Sequence, residues 1–155
     1  SAHAFGAKFV FTLGAERKVT ALRSDTSRTA DNLPWYVFDR VEELQLPQSC
    51  LLVGIELLDE AIPLPSFKHP LQAAYVFGPE RGSLSPALLA RCQQVVRIPT
   101  SFCINLGVAG AIVMYDRLIS LGRFAERPIS ARSRPVPPAP HRHGAQIFRR
   151  PRGGG

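Results

Sequence analysis

The segment AAYVFGPERGSLS, residues 73–85, is an apolar stretch that ends in a turn containing two glycines. Its first part, Ala73–Phe77, predicts a buried β-strand, because an almost continuous apolar run is typical of a strand covered on both faces. Ser85 and Pro86 then predict a helix that runs to about Cys92, since serine is a good N-cap and proline suits the first helical position. This order of strand, turn and helix indicates an α/β fold.

A second turn of the same kind follows about 20 residues further on, in IPTSFCINLG at residues 98–107. Val95–Ile98 predicts a short strand that ends at Pro99. Asn105 predicts the N-cap of a helix whose apolar residues recur with a helical period. The two turns are therefore expected to lie at the carboxyl ends of two strands.

The rest of the chain up to about residue 122 continues the alternation. Apolar or β-forming runs predict further strands at Lys8–Leu13, Trp35–Phe38 and Cys50–Leu57. Asp39 is expected to cap a short helix that reaches Leu44. The fold class that follows is α/β with a mostly parallel sheet.

Standard nucleotide-binding and hydrolase motifs are not present in the sequence. It contains no P-loop, no G-x-G-x-x-G turn and no G-x-S-x-G elbow, and its histidines and cysteines predict no metal site. Because ligands of open α/β sheets bind beyond the carboxyl ends of strands, the two turns are the candidate site, with Val53–Glu56 as a weaker third candidate. The alternative is that they are only tight turns, with Glu80 on the surface and Asn105 as a helix cap.

Charge divides the 155 residues into two parts. The net charge of +7 comes entirely from residues 120–155, which hold eight arginines against one glutamate, whereas residues 1–119 sum to zero. We expect a folded domain over 1–122 and a flexible Pro/Arg-rich tail over 123–155, which would attract polyanions or act only as a solubilising terminus. Three scattered cysteines favour a reducing, cytoplasmic compartment, and no apolar run predicts a membrane span.

The two turns together resemble known motifs. FGPERGSLS followed by IPTSFCINLGVAGAIVMYDR resembles the second and third motifs of the SpoU/TrmH branch of the SPOUT RNA methyltransferases, and SAHAFGAKFVF resembles the segment after that family's first motif. The resemblance covers about residues 1–121. It implies a C-terminal trefoil knot, a homodimer formed through the knot, S-adenosylmethionine as cofactor, and methyl transfer to a ribose 2′-OH of RNA, with tRNA favoured over rRNA.

The resemblance also implies roles for single residues in and near the two turns. Gly78 would approach the cofactor with its backbone. Cofactor-binding walls are expected from Val53, Gly54, Ile98, Pro99, Cys103 and Leu106. Catalytic or site-organising roles are expected for Glu80, Asn105 and Cys103. Cys103 stands where many members have serine, and a thiol is a weaker hydrogen-bond donor than a hydroxyl.

A departure from the family concerns its first motif. The family's asparagine and catalytic arginine would precede Ser1, so the first motif and its N-terminal strand are expected to be missing. Two alternatives therefore stay open beside an active enzyme: a catalytically impaired homologue that binds RNA or cofactor as a dimer, and an unrelated α/β domain. RNA contacts are expected from Arg17, Lys18, Arg23, Arg28 and Arg81, with a solvated surface as the alternative.

Overall fold

The computed structural model describes residues 1–14, 32–79, 82–127 and 130–138. The chain divides into two compact units, Ser1–Gly122 and Arg123–Gly155. The helices and strands described below all belong to the first unit. Among the described residues, no helix has the length and apolar character needed to cross a membrane. The predicted RNA contacts at positions 17, 18, 23, 28 and 81 lie outside the described residues.

The described strands form two parallel sheets. One sheet pairs β1 with β2, and the other has the order β4-β6-β3-β5. The bounds are β1 Val10–Leu13, β2 Trp35–Phe38, β3 Leu51–Ile55, β4 Ile62–Pro63, β5 Ala73–Phe77 and β6 Gln94–Arg97. The α/β class with parallel strands is thus confirmed.

The central strand β3 explains why the second sheet is buried. Leu52 packs on one side, in a cluster with Leu44, Ala74, Val76, Leu84 and Leu88. Val53 and Ile55 pack on the other side, in a cluster with Leu64, Phe67, Val96 and Val113. Because successive strand residues point to opposite faces, one apolar run supplies both cores.

Two helices follow β5 and β6, and both begin at the predicted caps. Helix α1 is Pro86–Arg91, and the Ser85 hydroxyl accepts a hydrogen bond from the Leu88 N–H at 3.2 Å. Helix α2 is Leu106–Leu121, and Asn105 Oδ1 accepts from the N–H groups of Gly107 and Val108 at 2.9 and 3.3 Å. These side chains satisfy N–H groups that have no partner within the helix.

The first residues form a helical turn that ends at a glycine. The Ala7 N–H donates to Ala2 O and the Gly6 N–H donates to His3 O, at 3.1 and 2.9 Å. Gly6 has a φ of 75°. This is the Schellman pattern of a helix C-terminus, which favours glycine because only glycine adopts a positive φ without steric cost.

One local prediction was wrong. Asp39 does not cap the 3-10 turn Val41–Glu43, whose N-cap is Arg40 and makes no side-chain cap bond. Instead, the Glu43 carboxylate accepts from the Asp39 N–H at 3.2 Å and from Arg40 Nε at 2.9 Å. Ile62 and Pro63 form β4, a two-residue strand that exists only through pairing with β6.

A buried polar network ties α2 to the segment before β5. Both ring nitrogens of His69 are hydrogen-bonded. Nδ1 lies 2.6 Å from Tyr75 Oη, and Nε2 lies 2.9 Å from Asp116 Oδ2. Arg117 donates to Pro70 O and Leu71 O at 2.5 and 2.6 Å. Burial raises the pKa of Tyr75, whose hydroxyl also lies 3.1 Å from Arg117 Nη1. The C-terminal helix is thereby fixed against a segment that precedes it by more than 40 positions.

A cavity of about 610 Å³ is lined by residues of β1, of the segment before it and of β5, among them Phe9, Phe11, Ala73, Tyr75 and Phe77. Among the described residues, β1 pairs only with β2 and β5 only with β3. The cavity is therefore lined by strands of both sheets.

Candidate functional site

A smaller cavity lies at the carboxyl ends of β3, β5 and β6. Its enclosed volume is about 100 Å³. Its lining residues come from the three segments that follow these strands and from the start of α2: Ile55, Glu56, Leu57, Phe77, Gly78, Pro79, Gly82, Ile98, Thr100, Cys103, Ile104, Leu106 and Ala109. The edge beyond the carboxyl ends of parallel strands is where open α/β sheets bind ligands, so we take this smaller cavity, rather than the larger one, as the candidate site.

Glycine fits closely at the bend after β5. A Cβ placed on Gly78 would lie 3.3 Å from the Leu84 nitrogen and 3.4 Å from Glu56 Oε2. Both distances are at or below ordinary van der Waals contact, and the nearer neighbour is backbone. The missing side chain therefore lets the bend fold back on itself and leaves the Gly78 backbone at the cavity wall.

Glu56 joins two of the bends. Its Oε2 accepts a hydrogen bond from the Leu84 N–H at 2.8 Å, and its Oε1 accepts from the Leu57 N–H at 3.0 Å. The side chain is half-buried and lines the cavity. Glu56 lies in the weaker third candidate turn, Val53–Glu56, but the sequence assigned it no role of its own; the available signal was an acidic residue directly after a buried strand.

The bend after β6 is held by its own backbone and by Thr100. The Thr100 N–H donates to Ile98 O at 2.7 Å, and its hydroxyl donates to Phe102 O at 2.9 Å. Thr100 and Ile104 line the cavity; both lie in the second candidate turn, and the sequence assigned neither of them a role. Such a compact turn presents Cys103, which is exposed, to the same cavity.

The structure brings most of the predicted cofactor-binding residues together. Gly78, Ile98, Cys103 and Leu106 all line the cavity, whereas Pro99 is not among its described lining residues. The wall expected from Val53 and Gly54 is displaced along the chain. Residues 55–57 form it in place of Val53 and Gly54.

The strand geometry explains this displacement. Val53 is fully buried in the core cluster with Val96. Gly54 faces inward, because a Cβ there would lie 3.1 Å from Cys92 Sγ and 3.2 Å from Leu84 Cδ1. Only the last strand residue, Ile55, and the residues after it reach the carboxyl edge. A ligand at this edge therefore meets Ile55, Glu56 and Leu57 rather than Val53 and Gly54.

The structure places the three residues predicted to be catalytic in different surroundings. Glu80 lies outside the described residues. Asn105 is exposed, and its side-chain oxygen is engaged in capping α2. Cys103 lines the cavity, while burial raises the pKa of the two other thiols, Cys50 and Cys92. Among the three cysteines, Cys103 is thus the accessible one.

Comparisons with known proteins agree with this arrangement. The sequence profile of the SpoU rRNA Methylase family matches residues 1–115. A crystal structure of the A. aeolicus TrmH/SpoU tRNA modifying enzyme superposes with a TM-score of 0.58 at 15% sequence identity, and the match covers 77% of this chain and 64% of that chain. At this identity the likeness shows a shared fold, and the chain spans less than two thirds of that enzyme's length. Curated protein sequences give no match. Because the family profile covers most of the chain, including the bends after β3, β5 and β6, the chain belongs to the SpoU rRNA methylase family.

Proposed function

We propose that this protein transfers a methyl group from S-adenosylmethionine to a ribose 2′-OH of RNA, with tRNA as the preferred substrate. The observation that carries the proposal is the convergence of three bends on one cavity, within a chain of the SpoU methylase family. Gly78 offers backbone at close approach, and Ile98 and Leu106 offer apolar surface for an adenine ring. The A. aeolicus enzyme with the same fold is a tRNA modifying enzyme, which supports tRNA as the first substrate to test.

The reaction sets clear chemical demands. The donor's S–CH₃ bond breaks and its electron pair stays on sulfur, which becomes a neutral thioether. The ribose oxygen forms the new O–CH₃ bond, and its proton passes to a base. Because a ribose hydroxyl is a weak nucleophile, in-line positioning and a proton acceptor supply most of the rate enhancement. Glu80 directly follows the cavity residue Pro79 and is our candidate acceptor, with an RNA phosphate as the other.

The cofactor pocket would include more than the enclosed volume. The cavity holds about 100 Å³, less than the roughly 300–1,000 Å³ of typical ligand pockets. Five of its lining residues are exposed, namely Leu57, Pro79, Gly82, Cys103 and Leu106. A bound cofactor would therefore occupy the enclosed part with one end and extend along these exposed walls with the other.

The proposal includes a trefoil knot and a homodimer. The contacts of Arg117 with Pro70 O and Leu71 O support a C-terminal segment that closes against an earlier loop, as a knot requires. Helix α2 supports the dimer, because it exposes four large apolar side chains on one side: Val108, Tyr115, Leu118 and Ile119. Such a face is typical of a protein–protein interface. The cytoplasmic location and the flexible basic tail over 123–155 stay predictions.

A tritiated-methyl assay tests the proposed function. The full chain is incubated with labelled S-adenosylmethionine and bulk tRNA or rRNA, and the RNA is then digested to nucleosides. We expect labelled 2′-O-methylnucleosides, with a higher yield from tRNA. Glu80→Gln should lower kcat strongly, whereas Glu60→Gln, at an exposed position outside the cavity lining, should not. Label on a base would contradict the 2′-O assignment.

A second candidate function is supported by one observation. Cys103, a weaker hydrogen-bond donor than serine, lines the cavity where many family members are expected to carry serine. This favours an impaired homologue that binds cofactor and RNA without transfer. Calorimetric binding of S-adenosylmethionine combined with no label in any RNA would select this candidate. Restored transfer by Cys103→Ser would then assign the defect to the thiol.

A further inference from the structure

Glu56 is the one charged side chain among the described residues that line the candidate site. The other described lining residues are apolar, glycine, Thr100 or Cys103. A carboxylate in a small, largely apolar cavity creates a negative potential that water screens less than at an open surface. Such a cavity favours a ligand that carries positive charge.

The carboxylate also has acceptor capacity to spare. Two oxygens offer about four lone-pair sites, and the hydrogen bonds from Leu84 and Leu57 use two of them. These two bonds hold the carboxylate in place at the cavity wall. A ligand's donor groups or cationic centre can therefore interact with a carboxylate that is already oriented, at little cost in side-chain entropy.

We propose that Glu56 recognises the positive charge of the methyl donor and so discriminates S-adenosylmethionine from the product S-adenosylhomocysteine. The inference rests on the proposed function and concerns the same site. The donor's sulfonium is positive, whereas the product's thioether is neutral, so the two ligands differ by one charge and one methyl group. Attraction to Glu56 is lost when the methyl group leaves, which weakens product binding relative to donor binding.

Calorimetry of the full chain with both ligands tests this role. Glu56→Gln removes the charge but keeps an oxygen that can accept from the Leu84 N–H. We expect it to weaken S-adenosylmethionine binding by about three- to tenfold while the Kd of S-adenosylhomocysteine changes by less than about twofold. Glu56→Ala, which also leaves the Leu84 N–H without its acceptor, should weaken both ligands. The matched control is Glu60→Gln, which removes the same charge from an exposed turn.

Salt dependence gives a second measurement that needs no substitution. In the unaltered chain, raising the ionic strength should weaken donor binding more than product binding, because ions screen the interaction between charges. This difference should disappear in Glu56→Gln. Equal changes in both Kd values on Glu56→Gln, or equal salt slopes for both ligands in the unaltered chain, would show that Glu56 has only a structural role.

The outcomes separate this inference from the proposed function. If the unaltered chain binds neither ligand, the proposed cofactor site is wrong. If it binds both and Glu56→Gln does not change the ratio of the two Kd values, the cofactor site is supported and the proposed recognition of positive charge by Glu56 is overturned.

Discussion

His69 and Asp116 are separated by 47 positions in the sequence, and their side chains meet at 2.9 Å between Nε2 and Oδ2. The His69 side chain is fully buried, and that of Asp116 is 23% exposed. Because a carboxylate only accepts, Nε2–H donates to Asp116. This bond joins the middle of α2 to the loop before β5.

Removal of the Asp116 acceptor should destabilise the fold. Asp116→Leu leaves the Nε2–H of a buried ring unpaired, and an unsatisfied buried donor costs about 1–3 kcal/mol. Asp116→Asn keeps an oxygen acceptor and should lose less. Urea unfolding of both variants measures the difference. Equal losses in the two variants would show that the hydrogen bond itself contributes little.

The helix cap at Asn105 gives a second stability prediction. Asn105→Ala removes the acceptor of the Gly107 and Val108 N–H groups and should lower the free energy of unfolding by about 1 kcal/mol. Asn105→Asp retains an acceptor and adds a negative charge at a helix N-terminus, so it should preserve stability. Chemical denaturation distinguishes the two. A loss in the aspartate variant as large as in the alanine variant would contradict the capping role.

Gly78→Ala should weaken donor binding more than it weakens the fold. The new Cβ would press on the Leu84 nitrogen and the Glu56 carboxylate, which moves the bend at the cavity wall. Gly110→Ala is a matched control, because its Cβ would have only ordinary contacts at 3.9 Å and lies within α2. The control should retain S-adenosylmethionine affinity and gain about 0.5–1 kcal/mol of stability. Calorimetry and thermal melts give the two readouts, and equal affinity in both variants would refute the prediction for Gly78.

Thiol labelling offers a test of where the ligand binds. Cys103 is exposed, whereas burial raises the pKa of Cys50 and Cys92 and so keeps them as unreactive thiols at pH 8. We expect Cys103 to be alkylated first, and saturating S-adenosylmethionine to slow its alkylation. Mass spectrometry of the labelled peptides measures both rates. Cys103→Ser should remove the fast phase, and an unchanged rate with bound donor would place the ligand elsewhere.

The apolar face of α2 predicts a dimer, and a charged side chain introduced on this face should disrupt it. Tyr115 is 51% exposed on this face, and Tyr115→Arg would bury a charge in the proposed interface. Sedimentation should give a dimer for the unaltered chain and a monomer for the variant. Val37→Arg, at a residue of β2 that is 65% exposed, is the control and should stay dimeric. A monomeric unaltered chain would refute this interface.

Local signals account for the parts of the fold that the sequence predicted well. The strand Ala73–Phe77 has the predicted bounds, and Ser85 and Asn105 cap the two helices as predicted. Each of these features depends on residues within a few positions of one another, as caps and apolar runs do. The wrong cap at Asp39 shows the limit, since the N-cap is Arg40 and the Asp39 N–H donates to the Glu43 carboxylate.

The features that the sequence did not predict depend on residues that are far apart in the sequence but adjacent in the fold. Strand β4 exists because Ile62 and Pro63 lie beside β6. Glu56 became a site residue because Leu84, 28 positions later, turns back to donate to it. Which residues of the β3 segment line the cavity likewise depends on where the buried part of the strand ends. The partners of these residues have no local pattern from which they could be inferred, although an acidic residue directly after a buried strand did mark the position of Glu56.

The position of Phe77 has a consequence for how the two cavities relate. Phe77 is the one described residue that lines both the small cavity at the strand ends and the larger one. A substitution at this position therefore alters the walls of both cavities at once.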